Sequence, residues 1–458
     1  MALEAVFERF TKKSPLTVMA RLLMQQALSR EWLEELFEQH RDKQYTRELL
    51  FSTVVDLMAL VALGLKPSLH AAAQARSDLG VSLAALYDKV NRTEPEIVRA
   101  LVRGGAEKLA PVVKFMKAQQ TPWAAGYRVR VLDGNHLAAS EKRLKPLRGF
   151  RGAALPGQSL VVYAPELDLV VDMVPAEDAH AQERALMGPV LARVEKGELW
   201  LADRNFSTTR ILFAFHDKQA AFIIREHGVS PNPTVLGPPR EVGRVETGVV
   251  FEQVVRIEEE TGRPLELRRV ELQLDEPTED GETVIRLLTN VPAERMGAQD
   301  VARLYRRRWS IEGMFGRLEA VFQSEVAGLG NPRAALLAFG VACMTYNILA
   351  VLQSAVETEH RLEAANFQVS SYYIADEVRT TYSGMMIAVP ETEWDQLDTQ
   401  SPPELSRTLL RMAANVKPAR LRKHPRKPKK KTRKGYVSGA VARQHVATAR
   451  VLRGQEST

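Results

Sequence analysis

Over the first 122 positions the apolar residues recur every three or four places: Leu33, Leu36 and Phe37, the run from Leu49 to Leu65, then Leu83, Leu86 and Val90. That period predicts a succession of helices, each with one apolar face. Ser68 to Gln74, the turn Ser77-Asp-Leu-Gly80-Val-Ser82 and Leu83 to Arg92 fit a helix-turn-helix with Ser82 as N-cap. An ordinary helical bundle fits the same pattern and is the preferred reading, since many helix pairs share it. From Gly126 the period shortens to that of strands, at 127–133, Ser159 to Tyr163 and Leu167 to Val174. A helix over Ala179 to Glu195, a strand at 199–203, a helix over Ser207 to Asp217 and a strand at Ala221 to Arg225 complete the series.

Three strands, a helix, a strand, a helix and a strand match the order of a ribonuclease H-like core, so the expected fold class is α/β. Strands at Val249 to Ile257, Leu265 to Leu274 and Thr283 to Leu288, separated by Gly-containing turns, read as a β insertion in that core. A long helix from Ala298 to Glu325 and another from Pro332 to Val356 follow, while Asn366 to Pro390 has no assignable period. The expected organisation is a helical domain over 1–122, core over 123–227, β insertion over 228–292, the rest of the core with its helix over 293–390, and a C-terminal region over 391–458.

The apolar stretch Ala334 to Leu352 approaches membrane-spanning length. It contains Thr345, Tyr346 and Asn347, which are costly in lipid, so a buried core helix is expected and no membrane partner. At 458 residues and 45% hydrophobic content the chain should form several folded units. The single cysteine, Cys343, excludes a disulfide framework and a cysteine-built zinc site. With an N-terminus that lacks the basic start of a signal peptide, it points to a cytoplasmic protein, which would be nucleoid-associated if its partner is DNA. The net charge of +7 conceals an asymmetry: residues 417–434 hold eleven Lys or Arg and no acid, leaving the remainder at −4. Such a tail seeks a polyanion.

Candidate chemistry lies in three acids far apart in the chain. Asp133 closes the strand from Tyr127, Asp203 closes Leu199-Trp-Leu-Ala-Asp203, and Glu312 lies within Tyr305-Arg-Arg-Arg-Trp-Ser-Ile-Glu312. Carboxylates at two neighbouring strand ends plus one on a helix can hold a pair of Mg²⁺ ions against a phosphodiester. Tyr305, Arg308 and Glu312 share a helical face, which sets an aromatic and a bidentate phosphate ligand beside the third carboxylate. His136 reads more readily as structural, His180 fits capping or packing at a helix start equally well, Arg204 reads as a phosphate ligand or a surface arginine, and Trp309 and Phe315 as core residues that orient the helix.

The run Tyr305-Arg-Arg-Arg308-Trp-Ser-Ile-Glu312-Gly-Met-Phe315 resembles the Tyr-Arg-Glu-Lys signature of bacterial DDE transposases of the insertion-sequence-four type. Leu132-Asp-Gly134 and Ala202-Asp-Arg-Asn-Phe206 resemble that family's two aspartate motifs, and Arg443 to Leu452 resembles a C-terminal motif of part of it. The resemblance implies cut-and-paste transposition: Asp133, Asp203 and Glu312 holding two Mg²⁺ ions, replaceable by Mn²⁺, and Tyr305 and Arg308 contacting DNA. The implied partners are double-stranded element ends and target DNA, bound by a homodimer. Two departures stand out: Glu319 occupies the family's lysine position, and residues 228–292 contain no tryptophan to stack on a flipped base. A structure-selective nuclease and a catalytically inactive DNA-binding relative remain alternatives.

Overall fold

The computed structural model describes residues 2–44, 48–76, 79–278, 281–362, 367–390, 393–394, 400–424 and 445–454. Seven helices come first: α1 (Ala2–Lys13), α2 (Pro15–Ala27), α3 (Arg30–His40), α4 (Phe51–Ala62), α5 (Leu69–Gln74), α6 (Leu83–Arg92) and α7 (Pro95–Phe115). Proline in the first turn starts α2 and α7, where its missing N–H is no loss. Ser68 and Ser82 cap α5 and α6, each Oγ accepting from a backbone N–H at 3.2 Å. Ser77 and Asp78, in the expected turn between them, lie outside the described residues.

The strands are β1 (Arg128–His136), β2 (Ala153–Leu155), β3 (Gln158–Ala164), β4 (Leu169–Ala176), β5 (Glu198–Ala202), β6 (Ala221–Arg225), β7 (Thr234–Val235), β8 (Arg240–Val245), β9 (Gly248–Glu258), β10 (Pro264–Leu274) and β11 (Val284–Thr289). One mixed sheet runs β4-β3-β1-β5-β6-β11-β10-β9-β7, with β8 also on β9. β1, β5 and β6 are parallel, whereas β3 and β4 extend one side and β11 the other in antiparallel pairs. The inserted strands thus continue the central sheet through β11 on β6.

Between β4 and β5 the chain forms a three-ten turn over Glu183–Leu186 and the short helix α8 (Met187–Leu191), not the helix expected from Ala179 to Glu195. Gly188 and Pro189 explain the shortfall, since one is a poor helix former and the other lacks a donor. After α9 (Thr209–Asp217), the helix expected over Ala298 to Glu325 divides into α10 (Ala298–Arg306), a three-ten turn at Arg307–Trp309 and α11 (Ser310–Val321).

Helix α12 (Pro332–Glu359) is long and apolar enough to cross a membrane, and its most apolar window is wholly buried inside the protein. Its polar cluster serves the sheet edge. Asn347 Oδ1 accepts from Val170 N and Asn347 Nδ2 donates to Val170 O, both at 2.8 Å, so the exposed backbone of edge strand β4 is paired by a side chain. Behind α12 comes α13 (Ser371–Ala388) inside the stretch that showed no period; Ile374, Ala375, Val378, Tyr382 and Met385 supply its buried face. Packing sustains this helix despite its aromatic and β-branched residues. The chain continues through α14 (Pro402–Ala413) and returns as β12 (His445–Ala447), parallel to β2, and α15 (Thr448–Leu452). Residues 425–434 of the basic run, and Arg443 and Gln444 of the C-terminal motif, lie outside the described residues.

The even and odd residues of β1 and β5 face different cores. Leu132, Trp200 and Ala202 join Phe206, Phe213 and Phe222 on one side, while Val129, Val131, Leu199 and Leu201 meet the helices α7, α11 and α12 on the other. The same hydrophobic cluster takes in α2, α4 and α7, so the N-terminal helices and this face of the sheet bury one another.

Candidate active site

The register of β1 against β5 sets the geometry. Val131 stands opposite Leu201 in the parallel pair, and two residues further on in each chain come Asp133 and Asp203. They occupy matching positions on adjacent strands and share the parity of Val131 and Leu201, so both face the side on which α11 packs. Asp203 also starts a three-ten turn, its Oδ1 accepting from Asn205 N at 2.7 Å.

Arg308 joins the strands to the helix. Its Nη1 donates to Asp133 Oδ2 at 2.7 Å, and its Nη2 lies 3.7 Å from Glu312 Oε1. The guanidinium centre is 5.9 Å from the Tyr305 ring and 5.5 Å from that of Trp309. Arg308 is only 7% exposed, and its Nε is buried without a hydrogen-bond partner. Burial alone would lower its pKa, but Tyr305, Asp133, Asp203 and Glu312 together raise it. It is a fixed cation with a donor to spare.

Burial pushes Asp133 up to about 6 against the pull of Arg308, and the charges of Asp203 and Glu183 add to the rise. Tyr305, likewise buried, is pushed up to about 12, so its hydroxyl keeps its proton at neutral pH. Among the described residues no three His, Cys, Asp or Glu side chains stand close enough to share an ion. Arg308 lies between Asp133 and Glu312 instead. The donor set itself, carboxylate oxygens only, is of the kind a hard divalent cation takes. Asp133, Asp203 and Glu312 would be the residues to hold such an ion, with Arg308 moved off Asp133.

A buried polar cluster anchors α11 from the far side. Arg317 Nη2 donates to Asp168 Oδ1 at 3.0 Å, and the hydroxyls of Tyr163 and Tyr346 donate to the same oxygen, each at 2.5 Å. Arg317 also lies 5.0 Å from the centre of the Tyr346 ring. Although burial opposes it, Asp168 and the two tyrosines raise the pKa of Arg317 well above its ordinary value. Nothing in the local sequence marks Asp168, because its partners come from β3, α11 and α12.

The remaining sequence candidates fall as follows. His136 is exposed at the end of β1, and Arg204 reaches Glu282 at 3.2 Å. His180 Nε2 and His445 Nδ1 are 2.8 Å apart, beside the ion pair of Arg450 with Asp178 at 2.9 Å, which fastens the C-terminal segment near the sheet end. Phe315 is partly buried, but Trp309 is 60% exposed and is not the core residue expected; the three-ten turn rotates it out. Glu319 is exposed and lines a cleft of about 600 Å³ with Tyr87, Arg143 and Glu325. Sequence reasoning missed Glu183, which reaches Asn205 and lies against Gly134.

Asp133 lies inside β1, which runs on to His136 and does not end at Asp133 as expected, but with Asp203 just after β5, a helical carboxylate and a buried arginine with an unsatisfied donor it defines an acidic site with a donor free for a phosphate ester. Residues 124–348, just under half of the chain, match a family model described as the transposase DDE domain, which supports a DDE transposase. No curated protein matches.

Proposed function

We propose that the protein is a cut-and-paste DNA transposase of the insertion-sequence-four type, with Asp133, Asp203 and Glu312 as its acidic triad. The observation that carries this reading is the register that sets Asp133 beside Asp203 under the helix bearing Glu312, within the stretch matched to the transposase DDE domain. The strand order β4-β3-β1-β5-β6, antiparallel then parallel, supports a ribonuclease H-like core.

When bound, a pair of Mg²⁺ or Mn²⁺ ions would supply the Lewis acidity for hydrolysis at the element's end and for attack of the freed 3′ hydroxyl on target DNA. The chain's part is positioning. The triad holds the cations, Arg308 transfers its donors from Asp133 to the phosphate beside the cut, and Tyr305, still protonated, steadies the guanidinium. Double-stranded DNA is the partner, engaged by a homodimer on two ends, and the protein works in the cytoplasm at the nucleoid.

A second reading, an inactive relative that only binds DNA, is favoured by Glu319, a carboxylate where the family's lysine would meet a phosphate. A strand-transfer assay on the DNA that flanks the gene separates the two, and separates both from a nuclease that cuts without joining. Asp133→Asn, Asp203→Asn and Glu312→Gln should each abolish cutting while leaving a gel shift with end DNA intact. Near-wild-type cutting in any one of them removes that residue from the triad.

A further inference from the structure

Beside the acidic site, and lined by none of Asp133, Asp203, Arg308 or Glu312, lies a cleft of about 930 Å³. One wall is α11 from Gly313, the residue after Glu312, to Val321, and the other is the start of α13 together with Lys423 and His424. A Cβ at Gly313 or Gly316 would meet nothing within 4 Å, so neither glycine is needed for packing within the chain. Both weaken the helix and leave its wall open down to the backbone.

The facing wall presents two aromatic rings and free cations. Tyr372 and Tyr373 are 46% and 38% exposed, with ring centres 5.6 Å apart and planes at 75°, so they offer two differently directed faces to the cleft. Ring faces left to water gain by being covered. Ser370 N donates to Leu421 O at 2.8 Å and Lys423 N to Gln368 O at 2.9 Å, which pins the backbone of Arg422 and Lys423 alongside the residues that lead into α13. Arg422 lies over the Phe367 ring at 5.5 Å, and among the described residues neither it nor Lys423 pairs with an acid. Both belong to the basic run that begins at Lys417. Glu357, the acid in the lining, accepts from Gln353 Nε2 at 2.8 Å. Exposed rings beside unpaired cations in an open groove suit a nucleic-acid strand whose bases are unpaired: the cations meet phosphates, and the rings stack on base faces that a duplex keeps hidden.

We propose that this cleft binds an unpaired DNA strand, its bases stacked on Tyr372 and Tyr373 and its phosphates met by Lys423. That the strand is DNA rests on the reading of the protein as a transposase. The test is fluorescence anisotropy of the full chain with labelled single strands of about ten nucleotides, in EDTA so that no cutting intervenes, against a duplex of the same sequence and an abasic strand of the same length. The single strand should bind more tightly than the abasic one, which keeps its phosphates and lacks bases. Tyr372→Ala combined with Tyr373→Ala should weaken single-strand binding by about tenfold or more and leave duplex binding unchanged, while Tyr372→Phe combined with Tyr373→Phe, which keeps both rings, should bind as wild type. Lys423→Gln, at an exposed position, should reduce the salt slope of single-strand binding by about one, and it decides the matter if the paired alanine variant does not fold. Equal binding of the abasic strand, wild-type affinity in the paired alanine variant, an equal loss of duplex binding, or an unchanged slope in Lys423→Gln overturns the cleft, whatever a cutting assay shows. Binding that depends on bases and on both tyrosines, in a protein that neither cuts nor joins the DNA flanking its gene, overturns the transposase reading and leaves the cleft standing.

Discussion

Arg308 donates to Asp133 across 2.7 Å, and in doing so it fills the position between Asp133 and Glu312. The same two residues would have to separate for a cation to reach Asp133, so this contact holds the site closed with internal charge.

Arg308→Ala should therefore separate binding from chemistry. Removing the arginine frees Asp133 and should not weaken Mn²⁺ binding, yet it should slow DNA cutting by at least tenfold, because the phosphate loses its buried donor. Arg308→Lys should restore only part of the rate, since an ammonium cannot present the planar fork. Cutting rates and Mn²⁺ affinity measured on the same preparations test this, and full activity in Arg308→Ala would sink it.

Asp133 carries a pH signature. Its pKa is about 6 in the folded chain against about 3.9 when unfolded, so the folded state binds more protons between those values. Stability from this group is full below the unfolded pKa and is lost as pH rises through about 6, on the order of 2–3 kcal/mol in all. Asp133→Asn should accordingly melt higher than wild type at pH 8 in EDTA, with the gap closing toward pH 4. A mutant that melts lower at pH 8 would contradict the assignment.

The cluster behind α11 predicts strong coupling. Asp168→Asn strands the charge of Arg317 and should cost about 3 kcal/mol, the lower end for a broken buried pair, because the Arg317 side chain is 31% exposed. Adding Arg317→Leu should cost much less than the two single changes summed. Urea unfolding of the four proteins in the cycle gives the coupling; simple additivity would show that the pair does not hold the helix.

The basic run is best tested by charge, not truncation, because the segment beyond it returns as β12 against β2 and ties Arg450 to Asp178. Replacing Lys427, Lys429, Lys430 and Lys431 with glutamine should weaken DNA binding and flatten its dependence on salt, since fewer counterions are released. An unchanged slope across a salt series makes the run a bystander.

Much of this protein is legible in the order of its residues. Alternation placed β1, β3 and β5 to within a few positions, the three- and four-residue spacing announced the N-terminal helices, and Asp133, Asp203 and Glu312 stood out because each follows an apolar strand-like run or lies in an Arg-rich segment. These are local signals, set by periodicity and side-chain chemistry within one element. What only the tertiary structure decided depends on contacts between distant elements. Trp309 turns outward because the helix breaks at a three-ten turn, and α13 exists because its weak apolar face finds a core to cover it. Arg308 reaches Asp133, Arg317 meets Asp168, and Glu183 rests on Gly134 only once sheet register and helix packing bring them together. No spacing along the chain encodes such pairings, because their energy comes from burial and charge shared between residues that the fold, and not the sequence order, makes neighbours.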